Sequence, residues 1–158
     1  MNKIHIETPL GLITVESDGE SITKVNLPGT SEAVFEDGGR PAEVLEEAKI
    51  QIQEYFSGKR KEFELPLKTQ GTAFQMKVWE ALRAIPYGAS LSYAEIAEAA
   101  GSPKAVRAVG QANKANKLPI LIPCHRVIGK NRSLTGYAGT QTDLKAVMLD
   151  LEKIAYKI

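Results

Sequence analysis

The residues best suited to chemistry lie together in the second half of the chain. Cys124 is the only cysteine among 158 residues, and His125 and Arg126 follow it directly. A thiol becomes a nucleophile when its pKa, about 8.5 in water, is lowered or when a base takes its proton. Histidine is the most common base for such a step. The sequence therefore offers a nucleophilic cysteine with a candidate base beside it.

Plainer interpretations compete with this one. A lone cysteine is usually a small buried apolar residue that does not react. In a regular strand, adjacent residues point to opposite faces, which would separate the Cys124 thiol from the His125 ring. Pro119 and Pro123 interrupt the apolar run and favour an irregular turn at Cys124. Such a turn would bring thiol and imidazole together directly or through one water, but spacing alone leaves this open.

Capping signals predict the helices that must position this site. Thr72 and Gln75 fit a capping box that opens one helix. Ser92 and Glu95 fit a second capping box, and Gly101 can end the short helix that follows it. The second half of the chain is therefore predicted to be mostly helical.

A further helix is predicted from about Pro103 to Lys114, with Ser102 as its N-cap, after a turn of two or three residues. This spacing is typical of a helix-turn-helix unit. One face of the helix is a polar stripe that would suit phosphates, formed by Lys104, Arg107, Gln111 and Lys114. Two helices joined by a tight turn are also a common packing unit, so the stripe alone does not establish DNA binding.

The first half predicts a small sheet and one helix. Three short strands are predicted, at Lys3 to Glu7, Leu10 to Glu16 and Ser21 to Leu27. Pro41 can open the helix and Gly58 can help to close it. The polar connector that follows predicts a boundary near residue 70. The chain is thus predicted to be α/β, with an N-terminal domain at residues 1–70 and a C-terminal domain at residues 71–158.

Charge divides the chain in the same place. Residues 1–70 carry 8 basic and 13 acidic side chains, a net charge of −5, whereas residues 71–158 carry 12 and 6, a net charge of +6. No Asp or Glu occurs between Glu98 and Asp143. A segment of one sign attracts polyanions, and nucleic acid is the usual one, although a solvated basic face would have the same composition.

Composition also excludes some classes. No apolar run is long enough for a membrane span, and the N-terminus lacks the apolar stretch of a signal peptide, so we expect a cytoplasmic protein that does not bind membranes. One cysteine cannot form an internal disulfide, and with two histidines it cannot build a four-ligand zinc site. We expect no metal and no cofactor.

A set of motifs in the second half resembles those of the O6-alkylguanine-DNA alkyltransferases, also called methylated-DNA--protein-cysteine methyltransferases. The motifs are Gly71-Thr72-Ala73-Phe74-Gln75, Ile85-Pro86-Tyr87-Gly88, Ser102 to Gly110 and Ile122-Pro123-Cys124-His125-Arg126-Val127, with Gly136-Tyr137 and Lys145 beyond them. The resemblance implies an N-terminal lobe like ribonuclease H and a winged-helix-like C-terminal lobe that carries the helix-turn-helix and the cysteine.

That resemblance also implies a reaction. Cys124 would irreversibly accept the alkyl group of O6-methylguanine, and of O4-methylthymine, from double-stranded DNA, and each monomer would react once. His125 would take the thiol proton through a water, and Glu152 would orient His125. Asn116 would hold the turn at the cysteine, and the Tyr93 hydroxyl would protonate the leaving guanine. No protein partner is implied.

The resemblance assigns further residues to DNA and to the pocket. Arg107 would fill the gap that the flipped base leaves in the stack, and Tyr93 would crowd the backbone there. Ser102 and Lys130 would contact phosphates, beside the polar stripe of Lys104, Gln111 and Lys114. The pocket walls would be Pro119, Val127, Tyr137 and Ala138.

Alternative interpretations remain for the role of Glu152 and for the function. Reaching Glu152 from the pocket needs one residue more than in many relatives, and Glu152 could instead be a surface residue of a helix that buries Leu144, Val147, Met148 and Leu151. A helix-turn-helix protein or an alkyltransferase-like lesion sensor would bind DNA without reacting, but such sensors replace the acceptor cysteine. A cysteine hydrolase usually places its histidine far from the nucleophile in sequence.

Overall fold

The computed structural model describes residues 2–28, 42–129 and 142–156. The chain divides into two compact units, Met1–Thr69 and Gln70–Ile158. Within the residues that the structure describes, the first unit contains an antiparallel sheet and one α-helix, and the second contains four α-helices, a short 3₁₀ helix and a short parallel pairing. The predicted α/β class is confirmed.

The first unit is built on a three-stranded antiparallel meander. Its strands are β1 (Asn2–Thr8), β2 (Gly11–Ser17) and β3 (Ile22–Asn26), each within about two residues of its prediction. The hairpin between β2 and β3 is closed by Asp18, whose carboxylate accepts from the backbone N–H groups of Glu20 and Ser21, both at 2.9 Å. Gly19 has a φ of 102°, a conformation that favours glycine at this turn.

One helix, α1 (Glu43–Phe56), packs against β1 and β2. Its buried apolar face consists of Leu45, Ala48, Ile52 and Tyr55, which recur at helical spacing as the sequence indicates. The helix ends as predicted at Ser57, followed by Gly58 with a φ of 80°. Pro41, the predicted first residue of the helix, lies outside the described residues.

The second unit begins with α2 (Ala73–Arg83), whose start is the predicted capping box. Thr72 accepts from the Gln75 backbone N–H at 3.1 Å, and the Gln75 side chain accepts from the Thr72 backbone at 3.0 Å. The helix buries Trp79, and the Trp79 Nε1 donates to the Ala112 carbonyl at 2.9 Å. The only tryptophan of the chain therefore lies in the core of the second unit.

The helix-turn-helix is present, but its second helix starts later than predicted. The predicted capping box of Ser92 and Glu95 opens α3 (Tyr93–Ala99), and Gly101 has a φ of 81° beyond its end. The second helix, α4, spans Val106–Lys114 rather than starting at Pro103. The Ala105 backbone N–H donates to the Ser102 carbonyl at 2.9 Å, so Ser102 to Ala105 form a separate turn. Proline at the second position of a turn favours this geometry over a helix start.

A short parallel pairing joins the helix-turn-helix to the cysteine. Strand β4 (Leu91–Ser92) immediately precedes α3, and it pairs with β5 (Val127–Ile128). Between the helix-turn-helix and β5 lies a short 3₁₀ helix at Cys124–Arg126, which we call the cysteine turn. The last helix, α5 (Thr142–Glu152), packs against the cysteine turn. No helix within the described ranges is both long and apolar enough to cross a bilayer.

Candidate active site

The loop before the cysteine is held by Asn116. Its Nδ2 donates to the Ile122 carbonyl at 3.0 Å, and its Oδ1 accepts from the Leu118 backbone N–H at 2.9 Å. The Ile122 backbone N–H in turn donates to the Leu118 carbonyl at 2.8 Å. Within this loop, buried Ile120 has a φ of 77°, which is costly for a β-branched residue. A strained backbone persists only where its surroundings fix it, and Asn116 supplies part of that support.

The predicted irregular turn at Cys124 is confirmed. Cys124 is the first residue of the cysteine turn, with its backbone N–H 2.7 Å from the Ile122 carbonyl, and it is only 3% exposed. The 3₁₀ conformation removes the strand alternation that would have placed Cys124 and His125 on opposite faces. Both side chains are consequently buried in the same turn.

His125 forms a buried pair with Glu152. The His125 Nε2 lies 2.6 Å from the Glu152 Oε2, and neither side chain is exposed. Burial lowers the pKa of His125 below its ordinary value, against the opposing effect of the hydrogen bond to Glu152. The resting imidazole is therefore neutral near pH 7, with the Nε2 proton donated to the carboxylate. The Nδ1 is then the basic ring nitrogen.

The buried face of α5 differs from the one expected if Glu152 were a surface residue. It buries Lys145, Met148, Leu149 and Glu152, rather than placing Glu152 at the surface. Lys145 and Glu152 are seven residues apart, two helical turns, and so share one face of α5. The 2.6 Å contact with the His125 ring places the Glu152 carboxylate in the interior, against the imidazole.

Two buried cations near the cysteine were not predicted as site residues. Arg126 makes a two-point ion pair with Glu152, through Nε to Oε1 at 2.7 Å and Nη2 to Oε2 at 3.1 Å. Lys145 is fully buried and donates from Nζ to the Val127 carbonyl at 2.6 Å. Burial lowers the pKa of Lys145 to about 8, although the nearby Cys124 favours the ammonium form. In the sequence, the only indication of a role for Arg126 is its position directly after Cys124 and His125 in the motif.

Most of the predicted DNA-contacting residues lie in the helix-turn-helix and differ in exposure. Arg107, Gln111 and Lys114 are exposed on α4, whose buried positions are Val109, Ala112 and Asn113. Lys104 is also exposed, in the turn before α4 rather than in the helix, and Ser102 at the start of that turn is half-buried. Tyr93, the first residue of α3, is half-buried. The predicted contact Lys130 lies outside the described residues.

The predicted pocket is described only in part. Pro119, five residues before Cys124, and Val127, three residues after it, are both buried. Tyr137 and Ala138 fall outside the described residues. A separate surface groove of about 770 Å³ is lined by residues of α2 and by the end of α3, among them Met76, Ala81 and Ala99. None of the predicted site residues lines that groove. Among residues 2–28, 42–129 and 142–156, no three His, Cys, Asp or Glu side chains are grouped to hold a metal ion.

Comparisons with known families match nearly the whole chain. Residues 1–69 match the family described as 6-O-methylguanine DNA methyltransferase, ribonuclease-like domain, and residues 73–154 match 6-O-methylguanine DNA methyltransferase, DNA binding domain. These two matches confirm the predicted fold class for both lobes.

Individual relatives of this chain carry names of the same kind as the matched family. The constitutive methylated-DNA--protein-cysteine methyltransferase of Bacillus subtilis is 56% identical over 156 residues, covering 96% of this chain and 94% of that protein. The structure of Mycobacterium tuberculosis OGT in complex with DNA is 40% identical with a TM-score of 0.86, covering 97% of this chain and 93% of that one. S. pombe Atl1, in complex with damaged DNA containing O6-carboxymethylguanine, is 30% identical with a TM-score of 0.50, but it covers only 57% of this chain and 85% of its own.

Proposed function

The chain belongs to the 6-O-methylguanine DNA methyltransferase family, and we propose that Cys124 is the residue on which it accepts the alkyl group. The protein repairs DNA directly, by moving the alkyl group from the O6 atom of guanine to a cysteine in a single irreversible turnover. The observation that carries the assignment to Cys124 is its place in the cysteine turn, next to a buried imidazole held by a carboxylate at 2.6 Å.

The side chains around Cys124 support a proton route. A thiol must lose its proton as it attacks, and the neutral His125 ring can receive that proton at Nδ1 through one bridging water. The Glu152 carboxylate, fixed on Nε2, stabilises the imidazolium that forms. The neutral His125 ring thus has the protonation state that this route requires.

The transfer itself is a displacement at carbon. The Cys124 sulfur forms a bond to the alkyl carbon as the carbon–oxygen bond breaks, and the electron pair of that bond passes to the guanine. The guanine then takes a proton from the Tyr93 hydroxyl, which is replenished from the His125 imidazolium through solvent. Overall, the alkyl group replaces the thiol proton on sulfur, and guanine gains that proton. A thioether has no leaving group to return, so the protein reacts once.

The exposed basic surface of α4 supports DNA binding and base flipping. An O6 atom inside a duplex cannot be approached in line with its alkyl carbon, so the nucleotide must leave the stack at a cost of a few kcal/mol. Arg107 is exposed on α4 and suited to fill the vacated space. Phosphate contacts from Ser102, Lys104, Gln111, Lys114 and Lys130 offset the remaining cost.

Other features of the proposal follow from composition and family. The division near residue 70 separates a ribonuclease-like domain from the domain that binds DNA and accepts the alkyl group. We infer a cytoplasmic monomer that needs no cofactor, no metal and no protein partner, and whose pocket is walled by Pro119, Val127, Tyr137 and Ala138. O4-methylthymine is a second substrate of the same site.

Intact-mass measurement tests the proposal. The chain is incubated with duplex DNA that carries a single O6-methylguanine, and the expected result is one added methyl group per chain, mapped to Cys124 and absent in Cys124→Ser. An unchanged mass with retained binding to the lesion would instead indicate a non-reacting sensor. Continuous turnover of an ester or a peptide would indicate a hydrolase, and either result would overturn the assignment.

A further inference from the structure

The guanidinium of Arg126 forms the centre of a buried hydrogen-bond cluster behind the candidate base. Its Nε and Nη2 contact the two oxygens of Glu152, and its Nη1 donates to the Ile85 carbonyl at 2.7 Å. The Gly88 backbone N–H also donates to the Glu152 Oε1 at 3.1 Å. The Tyr87 ring lies 5.7 Å from the guanidinium carbon, within the range of a cation–π contact. The loop after α2 therefore closes over the ion pair.

Charge balance requires a cation at this position. The Glu152 side chain has no exposed surface, and a buried carboxylate is costly unless it is paired and hydrogen-bonded. A neutral imidazole supplies one hydrogen bond but no charge. Arg126 supplies both, and its planar fork fixes the carboxylate in one orientation, as a lysine could not. The position of Glu152 against His125 thus depends on a third residue.

We propose that Arg126 is a positioning residue for the alkyl transfer, whose two-point ion pair holds the Glu152 carboxylate against His125. This inference rests on the proposed function, because it assigns Arg126 to the proton route of that reaction. Arg126 contacts neither the sulfur nor the DNA in this role. It acts through Glu152, and Glu152 acts through His125.

A consequence for pH follows from the charges around His125. Glu152 and Lys145 face the imidazole from α5, Cys124 and Arg126 flank it on the cysteine turn, and Tyr87 lies beyond Arg126 on the loop after α2. Burial is the main cause that lowers the pKa of His125, and the Arg126 and Lys145 cations lower it further, whereas Glu152 raises it. Without Arg126, no guanidinium would offset the effect of the Glu152 charge on His125. The pKa of His125 would rise, and the imidazolium would form at a higher pH.

The test compares Arg126→Gln and Arg126→Lys with the unmodified chain. The single-turnover rate of methyl transfer from duplex DNA containing O6-methylguanine is measured between about pH 5 and pH 9, a range that spans the ordinary pKa of histidine. In Arg126→Gln, the acid limb of the pH–rate profile should move to higher pH. For each increase of one in the pKa of His125, the rate below that pKa should fall about tenfold. Arg126→Lys should restore part of the rate and return the limb toward its original pH.

Controls separate this inference from the proposed function and from simple misfolding. Arg83→Gln changes an exposed arginine at the end of α2 and should leave the profile unchanged. If the unmodified chain transfers no methyl group, the proposed function fails. If it does transfer, but Arg126→Gln reacts at any rate with its acid limb in the original place, the positioning role is wrong. If Arg126→Gln does not fold, Arg126→Lys decides, because a profile identical to that of the unmodified chain would show that the two-point geometry is not needed.

Discussion

Replacing Glu152 with glutamine isolates the value of one buried negative charge. The carboxylate receives hydrogen bonds from the His125 Nε2, from Nε and Nη2 of Arg126 and from the Gly88 backbone N–H, all within 3.1 Å. Glutamine has nearly the same shape, so little packing is lost. The change removes the charge that balances Arg126, and it puts an NH₂ group where an acceptor is needed.

The expected cost is a substantial fraction of the stability of a typical domain. Removing one partner of a buried ion pair costs about 3–5 kcal/mol, because the remaining ion is left without its counter-charge. The amide oxygen of the introduced glutamine still accepts one hydrogen bond, so we expect a loss near the lower end, about 3 kcal/mol. With a total of roughly 5–15 kcal/mol for a domain, a loss of this size is readily measured.

Urea denaturation followed by the fluorescence of Trp79 measures this loss, since that single tryptophan reports on the unit that contains Glu152. Glu80→Gln, an exposed carboxylate on α2, is the matched control and should change the free energy of unfolding by no more than about 0.5 kcal/mol. The double variant Glu152→Gln, Arg126→Gln should be more stable than the sum of its parts predicts, because neither charge is then left alone. A loss below about 1 kcal/mol for Glu152→Gln would refute the ion-pair reasoning.

Three further predictions concern neighbouring residues. Burial holds the pKa of His125 below its ordinary value, so the contribution of His125 to stability should be complete above about pH 6.5 and should be lost as the pH falls from there toward the folded-state pKa. Urea denaturation across this range should show a pH dependence that His125→Gln lacks. An equal pH dependence in both proteins would contradict this prediction. Arg107→Ala should slow repair of duplex DNA strongly while leaving reaction with free O6-benzylguanine nearly unchanged, and equal loss on both substrates would rule out a role in base extrusion. Asn116→Ala removes the hydrogen bonds to Leu118 and Ile122, so it should cost about 1–3 kcal/mol in urea denaturation and slow alkyl transfer; unchanged stability would show that the loop holds itself.

Local signals in the sequence were sufficient for much of the fold. The capping boxes at Thr72 and Ser92 occur where predicted, because both partners of a capping box lie within four residues of each other. The start of α4 was misplaced because Ser102 and Pro103 are equally good residues for a helix start and for a turn. Only the backbone hydrogen bond from Ala105 to Ser102 decides between them, and composition does not encode that bond.

The site was less predictable, because its contacts span long stretches of sequence. Arg126 and Glu152 are separated by 26 positions, and no periodicity relates them. Burial of Lys145 was equally hidden, since lysine is almost never fully buried and the pattern of α5 favoured an apolar face. The left-handed backbone at Ile120 has no sequence signal at all, because isoleucine is among the residues least suited to it. Such features arise from tertiary packing and become visible only in three dimensions.

The pairing of β4 with β5 has a consequence for how the molecule can change. Ser92 is at once a residue of β4 and the N-cap of α3, and its partner Ile128 lies only four residues after Cys124. Two residue pairs thus connect β4, which leads into the helix-turn-helix, with β5, which follows the cysteine turn. A substitution that displaces β4 should also displace β5, and the reverse. Residues that set how the protein binds a duplex and residues that orient the Cys124 thiol are therefore expected to evolve together.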